Sequence, residues 1–177
     1  MIYFVRHGLS EANVKKVFAG QKDDSLLVEE GRQQAKATAE EIKKRSIKID
    51  KIVSSPSKRA LETAQIIAKE LGFKNSDIVV DSRIIEYDMG SLSGTPLHEV
   101  SSAILVNAKN AEDPEMFRIR VLSCIKELSK LSENILLVSH AGVGRMLETI
   151  KKGIDAKLFY DLPPYKNASI TKIDWIK

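Results

Sequence analysis

Features that mark secreted, membrane or disulfide-stabilised proteins are scarce in this sequence. Its 177 residues include one cysteine, Cys124, which cannot form an internal disulfide and lacks metal-ligand spacing. No apolar run approaches the roughly 20 residues that cross a bilayer. The opening MIYFVRH lacks the basic and apolar regions of a signal peptide. We therefore expect a cytoplasmic protein with no membrane partner, in which Cys124 fills part of the core.

Aromatic residues and charge of one sign are also limited. Aromatic side chains make up 6% of the sequence, and 28 basic residues face 24 acidic ones, for a net charge of +4. A nucleic-acid surface needs clustered basic residues interleaved with exposed aromatics. Here the basic residues mostly alternate with acids, as in EEIKKRSIKIDK. We therefore expect no nucleic-acid partner, and the small positive excess is compatible with a small anionic ligand.

Strand and helix signals alternate along the chain, which is typical of an α/β fold. Five short stretches predict strands: MIYFVR, IDKIVSS, DIVVDSRI, NILLVSH and ASITKIDWI. The stretches between them are rich in helix formers. We expect one domain over residues 1–177, a three-layer sandwich with a mostly parallel central sheet and helices on both faces. The last strand is predicted at a sheet edge, and residues 86–113 are predicted to form a short inserted cap.

Two of the predicted helices carry clear boundary signals. In SSPSKRALETAQIIAKELG, Ser55 is the predicted cap, Pro56 suits the first turn and Gly72 the end. In DPEMFRIRVLSCIKELSKL, Asp113 is the predicted cap and Pro114 lies in the first turn.

Three predicted strands lead into helices through polar junctions, FVRHGLSEAN, IVSSPSKRALETA and LLVSHAGVGR. The carboxyl ends of parallel strands share one edge of the sheet, where ligands bind. Four side chains should therefore meet there: Arg6, His7, Arg59 and His140. The helices after SSPS and SHAG add unpaired N–H groups. Two arginines, two histidines and helix N-termini predict a site for a dianion, most simply a phosphoryl group.

A metal site is the main chemical alternative at this edge. His7, His140 and Glu86 could form a triad of two histidines and one carboxylate. Two arginines aimed at the same point would repel a divalent cation, so we expect no metal.

The same segments resemble the histidine phosphatase superfamily, which includes phosphoglycerate mutases and many phosphomonoesterases. RHGLSEAN resembles its arginine-histidine-glycine signature, and SSPSKRALETA the segment with the second arginine. IIEYDMGSLSG resembles the acid segment, LLVSHAG the second histidine, and NASIT the last strand. The resemblance covers nearly the whole chain in the expected order.

The resemblance implies a role for each matching residue. His7 is the nucleophile that becomes phosphohistidine, and Glu86 is the proton donor and acceptor, with Asp88 as a nearby acid that could share that role. The implied catalytic set is His7, Glu86, Arg6, Arg59 and His140. The implied substrate and phosphate ligands are Arg6, Ser10, Asn13, Gly20, Gln21, Arg59, His140 and Ala141. No metal or cofactor is implied.

Hydrolysis is the expected reaction, on a small-molecule phosphomonoester. The stretch after Glu86 is short, lacks the arginine expected just after the acid in mutases, and offers only His98 and Lys109 as cations. A smaller cap excludes less water. A phosphoglycerate mutase is the alternative. An inactive phospho-ligand binder is less favoured, because both histidines and both arginines are present.

The oligomeric state is open at this point. ASITKIDWI could pair with a second copy across a homodimer, although Lys172 and Asp174 are typical of a protected edge strand.

Overall fold

The computed structural model describes residues 1–175 and contains one five-stranded sheet. The strands are β1 (Ile2–Arg6), β2 (Lys51–Ser54), β3 (Ile78–Val80), β4 (Ile135–Ser139) and β5 (Ile170–Ile173). Their order is β3-β2-β4-β1-β5. All neighbouring strands are parallel except β5, which runs antiparallel to β1 at one edge. The predicted α/β class, mostly parallel sheet and edge position of the last strand are confirmed.

Six α-helices are present within residues 1–175. They are α1 (Glu11–Lys15), α2 (Glu29–Lys44), α3 (Lys58–Leu71), α4 (Ser102–Val106), α5 (Pro114–Ser129) and α6 (Ala141–Lys152). Short 3-10 helices cover Asn75–Asp77, Ser82–Ile84, Gly90–Leu92, Leu97–Glu99 and Ala156–Asp161. Within residues 1–175, none of the helices combines the length and the hydropathy needed to cross a membrane.

The sheet separates two apolar layers, because successive side chains of a strand point to opposite faces. In β4, which is buried along its whole length, Leu137 packs with α5 and α6, whereas Leu136 and Val138 pack with α2 and α3. Cys124 of α5 is fully buried in the first layer, as predicted. The two layers confirm helices on both faces of the sheet.

The predicted cap of α5 is confirmed, whereas the predicted cap of α3 is wrong. Asp113 accepts hydrogen bonds from the first N–H groups of α5, and Pro114 is the first helical residue. Ser55 does not cap α3, which begins at Lys58 after Ser57, so Pro56 precedes the helix. The reason is that the N–H of Ser55 still donates to the Val138 carbonyl, at 3.0 Å. The chain therefore leaves the sheet later than the sequence suggested.

The segment 86–113, called the cap segment below, packs against the loop that follows α1. The N–H of Phe18 donates to the Thr95 carbonyl at 3.0 Å, and that of Gly94 donates to Phe18 at 2.8 Å. The side chains of Tyr87 and Leu105 are fully buried in the main core. The cap segment is thus tied both to the loop after α1 and to the main core.

Candidate active site

A cavity of about 120 Å³ lies at the carboxyl ends of β1 and β4. Arg6, His7, Arg59 and Glu86 all line it. His140 is fully buried beside them, with its ring centroid 5.3 Å from that of His7 and the rings edge to face. The residues predicted to converge are therefore brought together, with His140 behind His7 rather than on the cavity wall.

His7 is held in the form that a nucleophile requires. Its Nδ1 lies 2.8 Å from the Gly8 carbonyl oxygen, which can only accept, so Nδ1 donates and Nε2 keeps its lone pair. Burial holds the pKa of His7 well below its usual value, and the charges of Arg59 and Arg6 lower it further. His7 is therefore a neutral imidazole.

Gly8 allows a close approach between the turn after β1 and the backbone of α2. A Cβ added at Gly8 would lie 2.4 Å from the carbonyl oxygen of Gly31 in α2. The Gly8 N–H also donates to Thr63 Oγ1 of α3 at 3.1 Å. The turn after β1 is thereby fixed between two helices, which fixes the imidazole that precedes it.

The two predicted arginines are held by backbone carbonyls. Arg59, in the first turn of α3, is 1% exposed and donates from Nη1 to Asp23 and from Nη2 to Gly20, both at 3.0 Å. Arg6 donates from Nη1 to the Tyr165 carbonyl at 2.8 Å. Burial lowers the pKa of both guanidinium groups, and the Glu86 carboxylate opposes that shift. Both arginines are therefore fixed in orientation before any ligand binds.

Buried nitrogens without a hydrogen-bond partner are concentrated in this site. Within residues 1–175, three buried side-chain nitrogens lack a hydrogen-bond partner in the protein: Arg6 Nε, Arg59 Nε and His140 Nδ1. A buried donor without an acceptor is costly, so such groups are rare unless a ligand uses them. The site is thus rich in donors and suited to an anion.

His140 has a partner that the sequence did not suggest. Its Nε2 lies 2.7 Å from Ser55 Oγ, and the same oxygen accepts the Ser57 N–H at 3.3 Å. Burial, then the charges of Arg59 and His7, hold the pKa of His140 well below its usual value. His140 is therefore neutral here, and its conversion to an imidazolium on contact with a dianion stays a prediction.

Glu86 is the carboxylate at the cavity. It is 6% exposed and accepts from the N–H of Tyr87 at 2.9 Å and from that of Gly142 at 3.1 Å. The free N–H expected at the start of α6 is therefore used by this acid. Asp88 accepts from the Gly90 N–H at 2.9 Å and is not among the described residues that line the cavity.

The remaining predicted ligands divide into two groups. Asn13, Gly20 and Ala141 line the cavity. Ser10 and Gln21 do not belong to its lining as far as the described residues go. Ser10 is fully buried and forms a capping box with Asn13, in which each side chain accepts the other's N–H.

Arg145 is a cavity residue with obvious chemistry that was not predicted from the sequence. It lies in α6, one helical turn after Ala141, and both line the cavity. The i, i+4 spacing was the available signal. Neither His98 nor Lys109, the two cations considered from the sequence, belongs to the lining among the described residues. Over the same part of the chain, no group of three or more His, Cys, Asp or Glu side chains could hold a metal ion.

Comparison with known proteins agrees with this geometry. The family model described as "histidine phosphatase superfamily (branch 1)" matches residues 2–177. A 2,3-bisphosphoglycerate-dependent phosphoglycerate mutase of Thermoplasma acidophilum is 34% identical, over 96% of this chain and 84% of the relative. A broad-specificity phosphatase of Saccharomyces cerevisiae is 28% identical, over 99% of this chain and 80% of the relative.

Solved structures give the same result. The vanadate complex of a mycobacterial glucosyl-3-phosphoglycerate phosphatase aligns with a TM-score of 0.79 at 25% identity, covering 96% of this chain and 90% of that one. The chain described here belongs to branch 1 of the histidine phosphatase superfamily.

Proposed function

We propose that the protein hydrolyses small phosphomonoesters through a phosphohistidine intermediate on His7. The observation that carries this proposal is the neutral His7 imidazole, whose Nδ1 is committed to Gly8, whose Nε2 keeps its lone pair, and which lines a cavity together with the buried Arg59 and the partly buried Arg6. Histidine phosphatase membership and phosphatase relatives support the reaction class.

The first step forms the phosphoenzyme. Nε2 of His7 attacks phosphorus while the bond to the ester oxygen breaks, and Glu86 gives its proton to the departing alkoxide. In the second step Glu86 takes a proton from water, the water oxygen attacks phosphorus and the phosphorus–nitrogen bond breaks. Inorganic phosphate leaves, and both residues return to their starting forms.

Permanent cations stabilise the charge on the transferring group. Arg6 and Arg59 would donate to its equatorial oxygens through the buried Nε groups that have no acceptor among the described residues. His140 would donate from Nδ1, which requires either the Nδ1–H tautomer or protonation on contact with the dianion. Asn13, Gly20 and Ala141 would border the phosphate, and Ser10 would act by holding Asn13. The roles of Gln21 in phosphate binding and of Asp88 in proton transfer stay predictions, because neither is among the described residues that line the cavity.

The test is phosphoenzyme labelling. Incubation with a ³²P-labelled phosphomonoester should give an acid-labile, base-stable label on the native protein. His7→Ala should abolish the label and the turnover. His98→Ala is the matched control and should keep both, since His98 is not a cavity residue in the described part of the chain. A labelled and active His7→Ala protein would refute the nucleophile assignment.

Mutase activity is the second candidate, favoured by the similarity to the Thermoplasma acidophilum mutase. A mutase returns the phosphoryl group to the sugar acid instead of giving it to water. Incubation with 3-phosphoglycerate and a bisphosphoglycerate primer separates the two, because only a mutase yields 2-phosphoglycerate faster than free phosphate.

The organisation and setting of the enzyme are part of the same proposal. We propose one domain whose cap segment, residues 86–113, borders the site through Met89 and Leu97. The cytoplasmic location, the homodimer and the absence of a nucleic-acid partner stay predictions.

An inactive phospho-ligand binder would bind phosphate tightly and show no label on His7.

A further inference from the structure

Arg120 of α5 uses all five of its N–H donors within the protein. Its Nε and Nη2 donate to the two carboxylate oxygens of Glu112, at 2.6 and 2.8 Å. Its Nη1 donates to the carbonyl oxygens of Arg83 and Ile85, at 2.7 and 2.8 Å. The second N–H of Nη2 donates to the Glu86 carbonyl at 3.0 Å. An ion pair with Glu112 needs two of these donors, and the other three bind the backbone that carries the acid of the site.

That backbone is held mainly by side chains. It runs between a short 3-10 helix and the cap segment, so its carbonyl groups need partners from elsewhere. The Ile84 carbonyl accepts from Ser139 Oγ of β4 at 2.7 Å. Four successive carbonyls therefore each receive a side-chain donor, three of them from Arg120. Because the Glu86 carboxylate is bound by the Gly142 N–H, the residue is held by α5 at its backbone and by α6 at its side chain.

Arg120 also connects the two ends of the cap segment. The N–H of Glu112 donates to the Asp88 carbonyl at 2.9 Å, and its Oε2 accepts from the Asp88 N–H at 3.3 Å. The Tyr87 hydroxyl donates to the Glu112 carbonyl. The Phe117 ring, whose centroid lies 4.5 Å from the guanidinium carbon of Arg120, fixes the plane of the fork. Both ends of the cap segment are thereby attached to α5 through one guanidinium group.

We propose that Arg120 is a positioning residue for the proton donor of the reaction. The inference rests on the proposed role of Glu86. Arg120 is not among the described residues that line the cavity, so it would act through Glu86. A general acid works only within hydrogen-bond reach of the leaving oxygen, and a displacement of about 1 Å can cost about a hundredfold in rate. Arg120→Lys keeps the charge but loses the planar fork that binds the carboxylate and the carbonyls together.

The test measures kcat/KM of Arg120→Lys for glycerol 3-phosphate and for p-nitrophenyl phosphate. The alkyl ester depends on a general acid, and the aryl ester depends on it much less. We expect the ratio of the alkyl value to the aryl value to fall by about ten- to a hundredfold. Arg118→Lys is the matched control, because Arg118 pairs with Glu115 on the exposed face of the same helix and should leave the ratio unchanged. Urea unfolding verifies that each variant is folded in the assay.

A double-mutant cycle shows whether the effect passes through Glu86. In the Glu86→Gln background, where the proton donor is absent, Arg120→Lys should cause no further fall in the ratio. A further fall of the same size would overturn the proposal, because Arg120 would then act independently of Glu86. An unchanged ratio in Arg120→Lys alone also overturns it. Equal losses for both substrates overturn it as well, because they indicate a structural role.

Glu112→Gln provides a second variant for the case that Arg120→Lys does not fold. It leaves Arg120 in place but removes the charge and one acceptor oxygen of its partner, so the ratio should fall less, by about two- to tenfold. An unchanged ratio in this variant would overturn the proposal. Failure of the proposed function is seen separately, as absence of turnover and of the phosphohistidine label in protein with intact His7 and Arg120. Failure of the proton-donor role is seen in Glu86→Gln alone, as an unchanged ratio.

Discussion

The contact between Gly142 and Glu86 allows the proton-transfer role to be tested without changing the acid itself. A Cβ added at Gly142 would lie 2.2 Å from Glu86 Oε1 and 3.1 Å from its carboxyl carbon. Real Cβ atoms do not approach oxygen so closely, so Gly142→Ala must move the carboxylate. The hydrogen bond from the Gly142 N–H to Glu86 Oε2, now 3.1 Å long, would be lost. The added methyl group therefore displaces the Glu86 carboxylate and leaves the residue itself unchanged.

The expected effects on stability and activity differ in size. Alanine is favoured over glycine within a helix by about 0.5–1 kcal/mol. Loss of a hydrogen bond to a charged group costs about 1.5–3 kcal/mol. The free energy of unfolding should thus fall by only about 1–2 kcal/mol. Loss of a positioned general acid costs about 10²–10⁴ in rate, so kcat/KM for an alkyl phosphate should fall by about a hundredfold or more.

The assay uses two leaving groups. Glycerol 3-phosphate needs a proton on its departing alkoxide, whereas p-nitrophenyl phosphate releases a stable anion. The parameter kcat/KM reports the steps up to the first irreversible one, so it isolates formation of the phosphoenzyme. Gly142→Ala should reduce it far more for glycerol 3-phosphate, in the same pattern as Glu86→Gln.

A glycine at the other end of α6 provides the control. Gly153 has a left-handed φ of 65°, and a Cβ there would meet nothing within 4 Å. Gly153→Ala should cost about 1 kcal/mol of stability and leave the ratio between the two substrates unchanged. Equal losses for both substrates in Gly142→Ala, or no loss, would refute the assignment of Glu86 as the proton donor.

Two further predictions concern stability. Because burial holds the pKa values of His7 and His140 well below that of an unfolded histidine, near 6.5, the unfolded chain binds more protons below that pH. The free energy of unfolding should therefore decrease as pH falls from about 6.5, by up to about 1.4 kcal/mol per pH unit for each histidine. Urea unfolding at pH 7.5, 6.5 and 5.5 measures this decrease, and equal stability at the three pH values would contradict the prediction. Gly8→Ala should destabilise by about 3 kcal/mol, since its Cβ would meet the Gly31 carbonyl oxygen at 2.4 Å. Gly72→Ala, with open space around its Cβ, should cost only about 1 kcal/mol for its positive φ in the same urea experiment.

The sequence predicted the parts of the site that follow from strand topology. Arg6 and His7 end β1, and His140 follows β4, its parallel neighbour in the sheet. Arg59 lies in the first turn of the helix after β2. Parallel strands bring such junctions to one edge whatever the side chains between them. For that reason the four residues could be grouped without any knowledge of the packing.

Features that depend on packing could not be predicted in this way. Ser55 looked like a helix cap because serine before proline usually is one, yet it extends the ladder and bonds to His140. Arg145 was not singled out from the sequence. Its position on the cavity wall depends on Tyr160, in the 3-10 helix Ala156–Asp161, and on Leu162 just after that helix.

Burial of the site has different effects on the charge of its arginines and of its histidines. A dry site strengthens every interaction with the phosphoryl group, but it also removes the charge from an imidazole, as the lowered pKa values of His7 and His140 indicate. Arginine keeps its charge under those conditions. In the proposed mechanism, the guanidinium groups supply the positive charge that binds the anion, and this leaves the His7 lone pair available for attack. Arg59→Lys would put a more strongly hydrated cation in a position that is 1% exposed. We therefore expect this variant to weaken phosphate binding more than it lowers the reactivity of His7.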